Sequence, residues 1–152
     1  MTGERKLLLN LSRSIMITML LSNTGCGSNQ GNYAPVVKVD PARNAAKDIE
    51  FAIVEAGRSN KNILLDVGGE WCIWCHRLDA FIGGNKELND YLQNNFIVVK
   101  INYNPENKNE KVLSQFPQVA GYPHIFVLDK QGTFLHSQNT NDLEFEKSYS
   151  LK

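Results

Sequence analysis

The chain has 152 residues, 42% of them hydrophobic, with 16 Lys plus Arg set against 16 Asp plus Glu. That length fits one domain of ordinary size plus a short extra segment, with enough apolar content to form a core unaided. The neutral balance offers no basic field for nucleic acid and no acidic solvating tail. Three cysteines, Cys26, Cys72 and Cys75, are an odd number with one close pair, which excludes a structural disulfide framework.

The first segment carries Arg5, Lys6 and Arg13 around a mostly apolar stretch that ends at Leu21. Its most apolar run, residues 14–21 (SIMITMLL), is too short for a spanning helix, which needs about 20 apolar residues. With the small residues 22–26 behind it, the pattern reads as a secretory signal over residues 1–25. Thr24, Gly25 and Cys26 resemble the end of a bacterial lipoprotein box, although Asn23 stands where Leu is usual. The resemblance implies lipidation of Cys26 and attachment to a membrane surface in the periplasm or cell envelope. An ordinary cleaved signal and an uncleaved anchor are the other readings. Without residues 1–25 the chain is mildly acidic, again unsuited to nucleic acid. Residues 26–35 are small and polar and read as a flexible tether. Residues 36–152 form the domain, and a monomer is expected.

Asp40-Pro41 predicts a helix start. Ala42, Ala45, Ile49, Ala52, Ile53 and Ala56 then mark one buried face, and Gly57 with residues 58–62 stops it. Residues 63–67 (ILLDV) predict a central strand covered on both faces, broken by Gly68-Gly69. A helix follows from Cys72 to about Ile82, ended by Gly83-Gly84, and a second from Lys86 to Asn94. Residues 96–101 (FIVVKI) predict a strand. Residues 106–116 predict a polar helix with Val112, Leu113 and Phe116 facing inward. Residues 125–128 predict a third strand, residues 129–132 a turn, and residues 133–137 a fourth strand. Residues 142–151 are expected to form a terminal helix. Parallel strands with crossover helices, then an antiparallel hairpin, imply an α/β sandwich with a mixed central sheet flanked by helices.

The chemistry sits in Trp71-Cys72-Ile73-Trp74-Cys75-His76, between a buried strand and a helix. Cysteines at i and i+3 of a helix lie about 5 to 6 Å apart at Cα, within disulfide reach. Cys72 occupies the helix N-terminus, where unpaired N–H groups and the helix dipole favour a thiolate. The thiolate is the nucleophile in disulfide exchange, so Cys72 attacks and Cys75 resolves. His76, four residues after Cys72, would lower that thiol's pKa further when protonated. A solvent-facing helix residue is its other reading.

Residues 63–75 (ILLDVGGEWCIWC) resemble the active-site segment of thioredoxins, with Asp66 six residues before the first cysteine and Trp71 immediately before it. Gly121-Tyr122-Pro123 resembles the cis-proline loop of the same family. The resemblance spans roughly residues 40–145 and implies a thioredoxin-like three-layer sandwich. It also implies a cis Tyr122–Pro123 bond beside the dithiol. Asp66 would be the buried aspartate that assists proton transfer at the resolving cysteine; a strand-end Asp satisfied by backbone N–H groups is the other reading. Trp71, Tyr122 and Pro123 would meet the substrate, and Glu70, Trp74 and His76 would modulate the site. Ile73-Trp74 replaces the family's usual Gly-Pro. Gly68 and Ala80 stand where a Trp and a Pro are common, His76 replaces a Lys, and His124 replaces a Thr. The Trp-Cys-x-Trp-Cys-His pattern is closer to exported, lipid-anchored thioredoxin-like proteins than to the cytosolic type.

The expected function is exported protein–disulfide exchange, leaning to reduction, with protein thiols or disulfides as substrates and an upstream redox partner. No cofactor is implied. Two rival readings use the same residues. A non-catalytic binding module would keep Cys72 and Cys75 as a static disulfide. A c-type haem attachment site, C-x-x-C-H, would make His76 an axial ligand, with His124 or His136 as the second. Zinc lacks a second C-x-x-C to complete its ligands.

Overall fold

The computed structural model describes residues 38–151; the segment read as a signal, Cys26 and the segment read as a tether lie outside the described residues. The first helix, α1, spans Ala45–Ser59. It starts later than Asp40-Pro41 predicts, because Asp40 turns back on its own backbone and accepts from the Ala42 N–H at 2.9 Å. Asn44 caps the helix instead, accepting from the Lys47 N–H at 3.1 Å. The helix also continues past Gly57. One interior glycine costs only about 1 kcal/mol, and the true stop is Asn60, whose φ of +56° places it in the left-handed region.

Strand β1, Asn62–Gly68, pairs in parallel with β2, Phe96–Asn102, and antiparallel with β3, His124–Leu128. Strand β4, Phe134–Asn139, pairs antiparallel with β3, which gives the sheet order β2-β1-β3-β4. Helices α2, Ile73–Gly84, and α3, Lys86–Asn95, lie between β1 and β2 in the chain. The polar helix expected over residues 106–116 shrinks to α4, Glu110–Leu113. The asparagines before it divert the backbone: Asn104 accepts from the Asn107 N–H, the Asn102 side chain donates to the Asn107 carbonyl, and the Asn109 side chain donates to the Asn102 carbonyl at the end of β2.

Strand side chains alternate between two faces. Ile63, Leu65 and Val67 of β1, Ile97, Val99 and Ile101 of β2, and Phe126 and Leu128 of β3 form one core with Ala52 and Ala56 of α1 and Val112 of α4. Asp66 and Lys100, at the intervening positions, face the layer of α2 and α3. Helices therefore cover both faces of a mixed sheet, as the sandwich reading expects.

The terminal helix expected over residues 142–151 does not form. A 3-10 turn, Thr140–Leu143, leads into the short strands β5, Glu144–Phe145, and β6, Ser148–Tyr149. Asn139 caps the 3-10 turn, and Glu146, at φ +54°, bends the hairpin. Tyr149, only 5% exposed, anchors this hairpin on α2 against Phe81 and Trp74. A strand pair with one buried aromatic takes the place of a helix too polar to bury a stripe. Phe126 is fully buried, stacked on Phe116 and flanked by His124. Replacing it with Ala is expected to cost about 3–5 kcal/mol, read as a lower urea midpoint at unchanged slope.

Candidate active site

Cys72 is the N-cap of α2. Its backbone is extended, at φ −90° and ψ 101°, and its sulfur accepts the Cys75 N–H at 3.1 Å. The two Cα atoms are 5.2 Å apart and the sulfurs are joined as a disulfide. Both cysteines are buried, at 4% and 7% exposure. A reduced Cys72 in this position faces the helix's open N–H groups, which stabilise negative charge on sulfur.

Gly68-Gly69 does more than end the strand. A Cβ on Gly68 would lie 2.4 Å from the Cys75 sulfur. One on Gly69 would lie 2.5 Å from the Trp71 indole nitrogen and 2.7 Å from the Tyr103 carbonyl. The glycine pair thus lets the sulfur and the indole approach the main chain. Trp71 is 57% exposed yet fixed, because its Nε1–H donates to the Tyr103 carbonyl at 2.7 Å.

Tyr122–Pro123 is a cis peptide, as the resemblance implies. The Tyr122 ring meets Trp71 edge-on at 5.7 Å and stacks on Tyr103 at 4.5 Å. Trp71, Tyr103 and Tyr122 therefore form one aromatic platform, and the cis-proline loop lies at the same end of the sheet as the dithiol. The Pro123 carbonyl accepts from the buried Thr140 hydroxyl, which ties this loop to the 3-10 turn.

Trp74 is turned away from that platform. The Arg77 guanidinium covers its ring at 4.4 Å, Tyr149 packs on it edge-on at 5.7 Å, and the Tyr149 hydroxyl donates to the Trp74 carbonyl at 3.3 Å. Burial pushes the Tyr149 hydroxyl up to about 12, so it remains a donor. The His76 ring meets Glu70. Its Nε2–H donates to the Glu70 carbonyl at 2.9 Å, with the Glu70 carboxylate 4.0 Å away. Glu70 and His76 thus brace the loop that leads into α2.

Asp66 is buried on β1, in register with Lys100 of β2. The Lys100 ammonium lies 2.5 Å from the Asp66 carboxylate and also bonds Asp79 of α2. Burial pushes the Asp66 carboxyl above its ordinary range, and the attraction and hydrogen bond of Lys100 offset this only in part. Burial alone would depress Lys100, but Asp66 and Asp79 together hold its ammonium charged above the usual lysine range. A cleft of about 240 Å³ is lined by Asp66, Gly68, Cys75, His76, Asp79 and Lys100, among others, so Asp66 and Cys75 share one small space.

Cys72 and Cys75 are joined, Asp66 shares a cleft with Cys75, and Trp71 packs on Tyr122, whereas Trp74 packs against Arg77 and Tyr149 and His76 against Glu70; Cys26 lies outside the described residues. Sequence reasoning missed Tyr103, Lys100, Asp79 and Tyr149. A lone Lys within the apolar run FIVVKI was the available signal, since an inward-facing strand lysine requires a buried anion. Tyr103 sits in a loop and gave no comparable sign. Among the described residues no group of three or more His, Cys, Asp or Glu side chains is arranged to hold a metal ion.

A close, helix-capping cysteine pair on a four-stranded mixed sheet, with a cis-proline loop alongside, defines a thioredoxin-type dithiol site. The profile of the family described as thioredoxin-like matches residues 44–130, more than half of the chain, and the chain belongs to that family. Among solved structures, a disulphide isomerase from Xylella fastidiosa Temecula1 is similar at 24% identity and a TM-score of 0.60, over 68% of this chain and 80% of that one. The DsbH oxidoreductase is similar at 21% identity and a TM-score of 0.50, over 74% and 81%. At these identities the likeness is one of fold. No curated protein matches the chain.

Two predictions follow the packing. Gly68→Ala is expected to favour the dithiol over the crowded disulfide by about tenfold in equilibrium with glutathione, roughly 30 mV towards a more oxidising couple; an unchanged ratio would show that the sulfur can give way. His124 is 3% exposed, with Nε2 on the Ser137 hydroxyl at 2.8 Å and Nδ1 buried without a partner among the described residues. Burial lowers its pKa from 6.5. Below the ordinary value the unfolded chain takes up a proton that the folded state does not, so stability falls as pH drops through that value towards the folded one. The urea midpoint of the natural protein should therefore fall more from about pH 7 to about pH 5 than that of His124→Thr.

Proposed function

We propose that this chain is an exported thiol–disulfide oxidoreductase that reduces disulfides in other proteins and is tethered to the cell envelope through a lipid on Cys26. The position of Cys72, its sulfur capping α2 one turn from Cys75, carries the reading. Export rests on the signal-like residues 1–25, and lipidation on Thr24-Gly25-Cys26. The domain begins at residue 36, after the tether.

In the first step the Cys72 thiolate attacks a substrate disulfide. A Cys72–substrate bond forms, and the other substrate sulfur leaves with the electron pair and takes a proton. In the second step Cys75 loses its proton and attacks the Cys72 sulfur, releasing the second substrate thiol and closing the Cys72–Cys75 disulfide. Two electrons have then passed from the protein dithiol to the substrate, and an upstream dithiol partner must restore them. Asp66, desolvated beside Cys75, is the proton acceptor for the second step. The Trp71 face and the edge of the Tyr122–Pro123 peptide receive the substrate chain, with Glu70 and His76 fixing the approach to Cys72 and Trp74 holding the loop between the cysteines.

The geometry favours this over haem attachment. The two sulfurs are bonded to each other in a buried site, and the His76 Nε2 that would ligate iron is engaged by the Glu70 carbonyl. The decisive assay is insulin reduction with dithiothreitol as electron source. The natural protein should accelerate precipitation, Cys72→Ser should fall to background, and Cys75→Ser should accumulate a mixed disulfide visible on a non-reducing gel. No acceleration by the natural protein would support the non-catalytic module instead.

A further inference from the structure

Asp79 and Lys100 have no part in the mechanism above, yet both line the cleft beside Cys75. Asp79 lies on α2 one turn beyond Cys75, with its side chain about half exposed, and it bonds the same ammonium that Asp66 holds. The Lys100 side chain is only 10% exposed. A single cation therefore serves two carboxylates, one in the interior and one at the surface.

We propose that Asp79 is a positioning residue for the resolving step: it draws part of the Lys100 charge away from Asp66, leaving Asp66 able to take the Cys75 proton, and it marks the outer end of the path by which that proton reaches solvent. This rests on the reading of Asp66 as the proton acceptor. A buried carboxylate that owned its lysine outright would be held in the charged form and would be a poor base. A second carboxylate on the same ammonium divides that attraction and adds repulsion of its own. Both effects raise the proton affinity of Asp66, in the direction its environment shows.

The path has a physical opening. Gly68 and Gly69 present no side chains, and the cleft between them and α2 touches Cys75 and Asp66 at its floor and Asp79 at its wall. The other titratable groups around it come from four directions. Glu70 and His76 face each other at the loop and the start of α2, Lys38 lines the same cleft, and Tyr149 of β6 faces Asp66 from the adjoining pocket. Lys100 is the group that touches both acids.

The step balances as follows. Cys75 gives its proton to the Asp66 carboxylate, and its thiolate attacks the Cys72 sulfur of the mixed disulfide. The Cys72–substrate bond breaks, the substrate sulfur leaves with the electron pair and takes a proton from water, and Asp66 returns its proton to solvent through the cleft.

The test pairs a carbon-13 titration of the Asp66 carboxyl in the oxidised full chain with the pH profile of mixed-disulfide resolution by stopped flow. Asp79→Asn is expected to lower the Asp66 midpoint by about half a unit to one unit and to move the resolution profile to lower pH by the same amount. Asp79→Glu, which keeps the charge, should restore both. An Asp66 midpoint that stays in place or rises in Asp79→Asn overturns the proposal. If Asp66→Asn abolishes the pH-dependent limb while Asp79→Asn leaves it unmoved, the role of Asp79 alone is lost. If Asp66→Asn leaves the limb intact, the reading of Asp66 fails and the proposal fails with it.

Discussion

A sulfur atom in the place of a capping oxygen governs this molecule. Helices start with N–H groups that lack partners, and short polar side chains usually meet them. Here Cys72 does so with a thiol sulfur. The same geometry that begins α2 therefore favours a thiolate at its tip and brings Cys75 to bonding distance. The central strand delivers the chain to this point, and the glycine pair lets it turn without side chains obstructing the sulfur. The cis-proline loop at the end of the neighbouring strand completes a wall beside it.

The two faces of the sheet have different tasks. One is a hydrocarbon core of aliphatic side chains and stacked rings, which supplies the stability. The other admits a buried aspartate and lysine into an otherwise apolar strand pair. Such a pair is a weak source of stability, since desolvating both ions consumes much of their attraction. Its placement in a cleft shared with Cys75 suits the proton handling proposed for Asp66. The proposal thus sets the less favourable interior on the side of the dithiol.

Much of this was legible in the residues. The strands, the two central helices and the core facing α1 were readable because their patterns are periodic and local. The capping role of Cys72 followed from its place between a strand and a helix. Asp66 and the cis-proline loop were readable only through resemblance to a family. Interactions that join distant parts of the chain were hidden. The lone Lys100 in its apolar run signals a buried anion, but nothing near it says that its partners stand 34 and 21 positions earlier. Tyr103 looks like an ordinary loop residue until the Trp71 indole is placed against its carbonyl. Residues 142–151 do not form the expected helix, because a single buried tyrosine decides the outcome through a tertiary contact.

That tyrosine gives the order of synthesis a structural meaning. The loop between the cysteines is made midway along the chain, but the ring and hydroxyl that grip its Trp74 emerge third from the end of the described residues. Until then the indole between the two thiols has no Tyr149 against it. Tyr149 thus completes an element made 75 positions before it, and a chain cut between the two would lack that grip on the loop between the thiols.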